Sequence, residues 1–178
     1  MSSLLVALAL VVGCSSGLRH YTNNPALVGM RRVAVIPFHN LTRDPVAGEV
    51  VTRIFLAELI RSKMFIVVEM GDVEDFMFQQ RVKRKDFMNR TVLNLLRSRT
   101  GAEAAIMGTV NRFDYVGRVP VVSLTVRMVD TEDGHIIWKA SAERNGDDYL
   151  KVLNLGKIRS LQRLCQVMAR KMIATMGR

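Results

Sequence analysis

The chain has 178 residues, of which 49% are hydrophobic and 24% are charged. This composition is typical of one ordinary globular domain, and it excludes a disordered or fibrous chain. The formal net charge is +10, and residues 1–13 contain no Lys, Arg, Asp or Glu, so the positive charge belongs to the rest of the chain and indicates an anionic neighbour.

The segment before residue 14 has the features of an export signal. Residues 4–12 form an uninterrupted apolar run, about half as long as a membrane-spanning helix and of the size of a signal-peptide core. The run ends in VVGC at residues 11–14, which resembles the lipobox of bacterial lipoproteins. We therefore expect residues 1–13 to be a signal peptide and Cys14 to carry a diacylglycerol and an N-linked acyl chain. The alternative, a small apolar Cys14 in a buried segment, is disfavoured because SSG follows at once.

The residues after Cys14 predict where the domain lies. Ser15 in place of Asp resembles the sorting pattern of lipoproteins sent to the outer membrane. Residues 14–31 are polar and irregular, and we interpret them as the lipidated N-terminus and its tether, with a reach of at most about 55 Å. Residues 32–178 are then one periplasmic domain, for which outer-membrane lipid is a partner and nucleic acid is not. Cys165 stays unpaired, so no disulfide within the chain is expected.

The first elements of the domain predict a βαβ unit. Residues 32–38 are apolar and β-branched, which is typical of a central strand covered on both faces. Asp44 and Pro45 predict the start of a helix over residues 46–62, as N-cap and first helical residue. Residues 64–69 predict a second strand, which a right-handed crossover would place parallel to the first.

The middle of the chain predicts two further helices. The first begins at Gly71 and Asp72, and its apolar positions, Val73 and Phe76 among them, follow the helical period. The second covers about residues 91–98 and ends at Gly101.

The last third predicts an antiparallel meander and a closing helix. Residues 104–115, 120–130 and 135–145 alternate in polarity as strands do, and Asp133-Gly134 is a hairpin turn signal. An amphipathic helix ends the chain, with its apolar side formed by Leu161, Leu164, Cys165, Met168, Met172 and Met176. The predicted fold class is α/β with a mixed sheet: a βαβ unit, then a three-strand antiparallel meander, with helices packed on the sheet.

Four segments carry a resemblance to a known family. They are residues 33–42 (VAVIPFHNLT), 65–69 (FIVVE), 105–108 (AIMG) and 124–140 (LTVRMVDTEDGHIIWKA). In this order they resemble the CsgG-like superfamily of bacterial lipoproteins, which includes CsgG-like, PelC-like and LpoB-like branches. The resemblance spans residue 32 to the C-terminus and implies the fold that the periodicities predict.

The branches of this superfamily imply different functions. A CsgG-like pore requires long amphipathic hairpins, which this chain lacks. An LpoB-like module that regulates a peptidoglycan synthase is the alternative, but it requires a long tether. The PelC-like branch fits best, and it implies a non-enzymatic ring of copies that assists export or assembly of an extracellular polysaccharide, as in a biofilm, beside an outer-membrane export protein. The excess of positive charge leaves the identity of the polymer open.

The helix predicted over residues 46–62 is apolar on two sides. Val51, Phe55 and Leu59 form one face, and a second set lies opposite, interleaved with Glu49, Arg53, Glu58 and Arg61. A helix whose apolar residues lie on nearly all sides must pack against the core on one side and against another surface on the opposite side. The second set therefore predicts a contact between subunits, unless the chain's own loops cover it, and its members are Val50, Ile54, Ala57 and Ile60.

A basic run follows the second predicted helix. Its first members are Arg81, Lys83, Arg84 and Lys85, and Arg90, Arg97 and Arg99 follow. We interpret the first four as a contact with anionic lipid headgroups or with another anionic surface. A solvated helical face is the alternative.

Other candidate residues have simpler interpretations. The strand parity of Trp138 favours a core position over a membrane-interface anchor. Asn40, Thr42 and Asp44 stand where open α/β sheets bind ligands, but helix capping explains them equally well. The histidines His20, His39 and His135 have no ligands at metal spacing, so we expect no metal or cofactor besides the lipid on Cys14. No catalytic motif is present.

Overall fold

The computed structural model describes residues 17–22, 24–149 and 156–177. The strands are β1 (Arg19–Thr22), β2 (Arg32–Val35), β3 (His39–Asn40), β4 (Ile66–Val67), β5 (Ala104–Val116), β6 (Val119–Asp130) and β7 (Ile136–Asn145). The helices are α1 (Asn24–Gly29), α2 (Ala47–Ser62), α3 (Met70–Gln79), α4 (Arg90–Thr100) and α5 (Leu161–Ile173), and two short 3-10 segments cover Arg84–Met88 and Gly146–Tyr149.

The sheet is mixed, as predicted. Its strand order is β1-β7-β6-β5-β2-β4, and β3 pairs with β5. β2 is parallel to both β4 and β5, whereas β5, β6, β7 and β1 pair in antiparallel fashion. Both the βαβ unit and the meander are therefore confirmed, and β2 lies between two partners and is buried, as expected of a central strand.

One face of the sheet carries the larger core, and α2 and α5 cover it side by side. All six apolar positions predicted for the last helix are buried there. Trp138 is fully buried on this face, and its Nε1 donates a hydrogen bond of 2.9 Å to Oγ1 of Thr175. The core position predicted for Trp138 is confirmed.

The opposite face is only partly covered. A smaller core joins α3 and α4 to β2 and the start of β5, through residues such as Ile36, Phe76, Phe87 and Leu96. Further along this face the side chains of β6 and β7 are polar and half-buried or exposed, among them Thr125, Arg127, Lys139 and Ser141. This uncovered part is called the open sheet face below, and it includes β1 because Arg19 and Tyr21 pair with Ser141 and Lys139.

The predicted tether is wrong for residues 19–29. β1 pairs along the outer edge of β7, and α1 follows it and buries Leu27. The side chains of β1 are mostly exposed, so hydropathy gave no sign of the strand. Backbone groups at the open edge of β7 need partners, and a polar segment satisfies them as well as an apolar one does.

Three predicted boundaries are also corrected. β2 ends at Val35, because the N–H of Phe38 turns away and donates to Oγ1 of Thr52 on α2 at 2.9 Å. β4 pairs only at Ile66–Val67, at the sheet edge where its partner β2 is itself short. α2 begins at Ala47 with Val46 at its N-cap position and no side-chain cap, so the prediction of Asp44 as N-cap and Pro45 as first helical residue is wrong by two residues.

Candidate functional site

The predicted contact set on α2, which consists of Val50, Ile54, Ala57 and Ile60, is called the α2 stripe below, and it is half open. Its members follow one another at helical spacing on one side of α2, and Val50 and Ile54 pack partly against the core. Ala57 is exposed, and Ile60 leaves 56% of its surface in solvent. The open part of the stripe is therefore its C-terminal half.

Glu58 is one of the charged residues interleaved with the stripe, and only 3% of it is exposed. It joins the two core helices: Nε2 of Gln166 donates to it at 2.8 Å, Nε of Arg170 at 3.0 Å, and Arg61 forms an ion pair with it. Burial raises the pKa of Glu58, but the hydrogen bonds from Arg170, Gln166 and Arg61 together outweigh burial and hold the pKa below its usual value. Glu58 therefore stabilises the docking of α5 on α2.

The structure divides the basic run into two parts. Nε of Arg90 donates to the carbonyl of Glu132 at 2.9 Å, and Arg97 forms ion pairs with Glu132 and Asp130. These two side chains bind the turn between β6 and β7. Arg81, Lys83 and Arg84 are exposed, and within the described residues none of them has a salt bridge; the side chain of Lys85 lies outside what is described.

The open sheet face holds a cavity of about 380 Å³, which sequence reasoning did not identify as a site. Its floor is apolar at Ile36, Pro37 and Met107, and its rim carries Arg84, Arg127 and Lys139. Residues on the polar side of β6 and β7 gave a signal in the sequence, because they alternate with core residues. The sequence could not show that the fold brings Arg84 to the same cavity as these residues, beside the segment that follows β2.

Asn40, Thr42 and Asp44 form a closed hydrogen-bonded loop before α2. Oδ1 of Asn40 accepts from the N–H and the hydroxyl of Thr42 at 3.0 and 2.8 Å, and its Nδ2 donates to the carbonyl of Asp44 at 2.7 Å. Oδ1 of Asp44 accepts from the N–H of Val46 at 3.1 Å. Their polar groups are used within the loop, so the structure supports capping of the turn that leads into α2.

Cys165 lies in the larger core as a free cysteine. Burial raises the pKa of the Cys165 thiol to about 12, so this cysteine stays protonated and inert. Within the described ranges no three His, Cys, Asp or Glu residues come together as metal ligands, and no helix there is long and apolar enough to cross a membrane. Cys14, the predicted lipid-bearing residue, lies outside the described residues.

Comparison with known proteins identifies the fold. No family model and no curated protein sequence matches the chain, but solved structures do. A PelC dodecamer from Paraburkholderia phytofirmans matches with a TM-score of 0.64 and 21% identity, over 90% of this chain and 98% of that chain. The chain has the fold of PelC.

Two other structures share the PelC fold. Lipoprotein GNA1162 from Neisseria meningitidis matches with a TM-score of 0.59 and 19% identity, over 83% of this chain and 98% of that chain. The hypothetical protein CT253 from Chlamydia trachomatis matches with a TM-score of 0.57 and 11% identity, over 83% and 96% of the two chains. The superfamily resemblance predicted from the sequence is thus confirmed as a likeness of fold.

Proposed function

We propose that this chain is a non-enzymatic lipoprotein, anchored in the outer membrane through Cys14 and facing the periplasm, which forms a ring of identical copies and assists polysaccharide export. The observation that carries the proposal is the fold shared with PelC, a protein solved as a dodecamer, over nearly the whole of both chains. Its partners are copies of itself, outer-membrane lipid and an outer-membrane export protein.

The position of β1 supports a role close to the membrane. Arg19 enters the sheet five positions after Cys14, and five extended residues span at most about 17 Å. A lipid on Cys14 would therefore hold the domain against the bilayer. The alternative function, a regulatory module that reaches a peptidoglycan synthase, would need a far longer tether.

Two surfaces fit the proposed partners. The exposed half of the α2 stripe, Ala57 and Ile60, is the proposed contact between copies, since an apolar helix side is stable only when it is covered. Arg81, Lys83, Arg84 and Lys85 are the proposed contact with anionic lipid headgroups, where each cation contributes up to about 1 kcal/mol.

The assembly can be tested by measuring mass. The full chain, purified in a mild detergent, should show by native mass spectrometry an oligomer of many copies. Ile60→Glu should reduce it to monomers, because a carboxylate buried in an apolar contact is strongly unfavourable. Val28→Glu makes the same change at an exposed residue of α1 and should leave the mass unchanged. A monomeric parent chain would contradict the proposed ring.

A further inference from the structure

The open sheet face is built from two cross-strand rows of side chains. In the first row Met107 lies opposite Arg127, Arg127 opposite Lys139, and Lys139 opposite Tyr21. The second row consists of Thr109, Thr125, Ser141 and Arg19. Because neighbouring strands lie about 4.8 Å apart, four strands give each row a width of about 14 Å.

These rows concentrate positive charge. Arg127 and Lys139 are direct cross-strand neighbours, so two cationic side chains stand side by side on this face. Arg84 lies on the rim of the same cavity, and no residue that lines the cavity has a carboxylate. The next carboxylate along this side of β7 belongs to Glu143, beyond the second row. The cavity is therefore matched to an anionic group.

Hydroxyl groups at the centre of the face point to a ligand with acceptor oxygens. Oγ1 of Thr125 accepts hydrogen bonds from Nδ2 of Asn111 at 3.1 Å and from Oγ of Ser141 at 3.2 Å. The hydroxyls of Thr125 and Ser141 share one hydrogen bond, and each has one donor hydrogen. Whichever of the two donates to the other, one O–H of the pair has no acceptor among the hydrogen bonds of the described residues. Thr109, beside it on β5, also makes no side-chain hydrogen bond within the described part of the chain.

The apolar part of the face suits the ring of a sugar. Met107 and Pro37 form part of the cavity floor, and Tyr21, 56% exposed, stands at the other end of the same row. Flat apolar and aromatic surfaces cover the C–H face of a pyranose while its polar groups bind at the rim. A lipid surface needs no such combination of concave floor and central hydroxyl donors.

We infer that the open sheet face binds an acidic carbohydrate, whose carboxylates are recognised by Arg127 and Lys139 and whose hydroxyl or ring oxygens accept from the hydroxyl pair of Thr125 and Ser141. The inference rests on the proposed function and deepens it, because it names the chemical class of the exported polymer. The polymer would be anionic, which agrees with the excess of positive charge on the chain.

The test uses the full chain in detergent and oligouronates of four to six sugar units as the probe. Titration calorimetry at low salt should show binding that weakens steeply as the salt concentration rises, since the contacts are exposed to solvent. Lys139→Gln should weaken binding by about three- to tenfold, the size expected for one charge-assisted contact at a half-open site. Thr125→Val, which keeps the shape and β propensity of the residue, should also weaken it.

Matched controls keep the outcome clear. Arg118→Gln removes the same charge at the exposed turn between β5 and β6 and should leave binding unchanged. Near-ultraviolet circular dichroism verifies the fold of each variant, and two variants on different strands mean that a folding failure in one does not end the test.

Four results would overturn the inference. The first is equal binding of neutral malto-oligosaccharides, and the second is equal weakening of binding by Arg118→Gln. The third is a loss of the oligomer in Lys139→Gln, which would make the face an interface between copies. The fourth is Lys139-dependent binding of phosphatidylglycerol micelles in place of the oligouronate. An intact oligomer that binds no oligouronate would refute this inference alone, whereas a monomer that binds it would refute only the proposed ring.

Discussion

Gly108 is a residue whose missing side chain shapes the core. A Cβ at this position of β5 would stand 2.4 Å from two ring carbons of Phe38. That ring is fully buried and lies 5.3 Å, between centroids, from the ring of Phe55 on α2. It has no free space into which to move, because interiors are close-packed.

Gly108→Ala should therefore destabilise the fold by about 1–3 kcal/mol, the usual cost of overpacking. The measurement is urea unfolding followed by the fluorescence of Trp138, the single tryptophan of the chain. Gly71→Ala is the control, since a Cβ there meets nothing within 4 Å in helix α3. An equal effect of both changes would show that the Phe38 contact is not the cause.

Glu58 should make the stability of the fold depend on acid. Its pKa in the folded chain lies below the ordinary value of 4.5, so the unfolded chain takes up the proton first as the pH falls. The stabilisation is complete above about pH 4.5 and is lost as the pH falls through the folded pKa.

At neutral pH, Glu58→Gln should reduce the free energy of unfolding by about 1–3 kcal/mol. The difference in free energy of unfolding between this variant and the parent chain should disappear as the pH falls. Urea titrations at several pH values measure this. Glu49→Gln removes a solvent-exposed ion pair with Arg53 and should change stability by less than about 1 kcal/mol. If the difference in free energy of unfolding between the two chains stays constant from pH 7 to pH 3, the role given to Glu58 is contradicted.

At the scale of elements, helices α2 to α5 and the meander were predictable, whereas the edge strands and the short helix α1 were not. The C-terminal helix was predicted residue by residue, because a period of 3.6 in apolar residues reflects one buried side. β1 was missed, because an edge strand with exposed side chains has no apolar pattern to reveal it. β4 was predicted too long, since its length depends on how much of β2 remains to pair with it.

The two kinds of strand should differ in protection from hydrogen exchange. β6 is flanked by β5 and β7 over most of its length, whereas β1 pairs on one side over four residues. Amides of β1 should therefore exchange by local opening, well before those of β6, which need global unfolding. Hydrogen exchange followed by mass spectrometry compares the two peptides directly. Equal protection would mean that β1 is bound by contacts beyond those of the described chain.

At the scale of the whole molecule, the lipid proposed on Cys14 would decide where the protein works. Mass spectrometry of the protein from a producing bacterium should show a chain without residues 1–13 and with a diacylglycerol and one further acyl group on Cys14. Cys14→Ala should abolish the incorporation of labelled palmitate, and Ser15→Asp should shift the protein from the outer to the inner membrane fraction. An unmodified Cys14 thiol behind an intact leader would refute the proposed compartment.

The candidate site was predictable only in pieces. The α2 stripe followed from helical periodicity. The burial of Glu58 did not, because the sequence does not show that α5 brings Gln166 and Arg170 beside it. The polarity of Arg127 and Lys139 was visible in strand alternation. Their position across from each other was not, since it depends on the register of two paired strands.

The sequence by itself determined the fold class, the order of the main elements and the apolar sides of the helices, because each follows from a local repeat that burial imposes on the chain. The tertiary structure alone decided which strand closes the sheet edge, which carboxylate is buried and which cations share one cavity. Those features depend on pairings between residues far apart in the chain, and a pairing is a property of two segments that neither segment encodes alone.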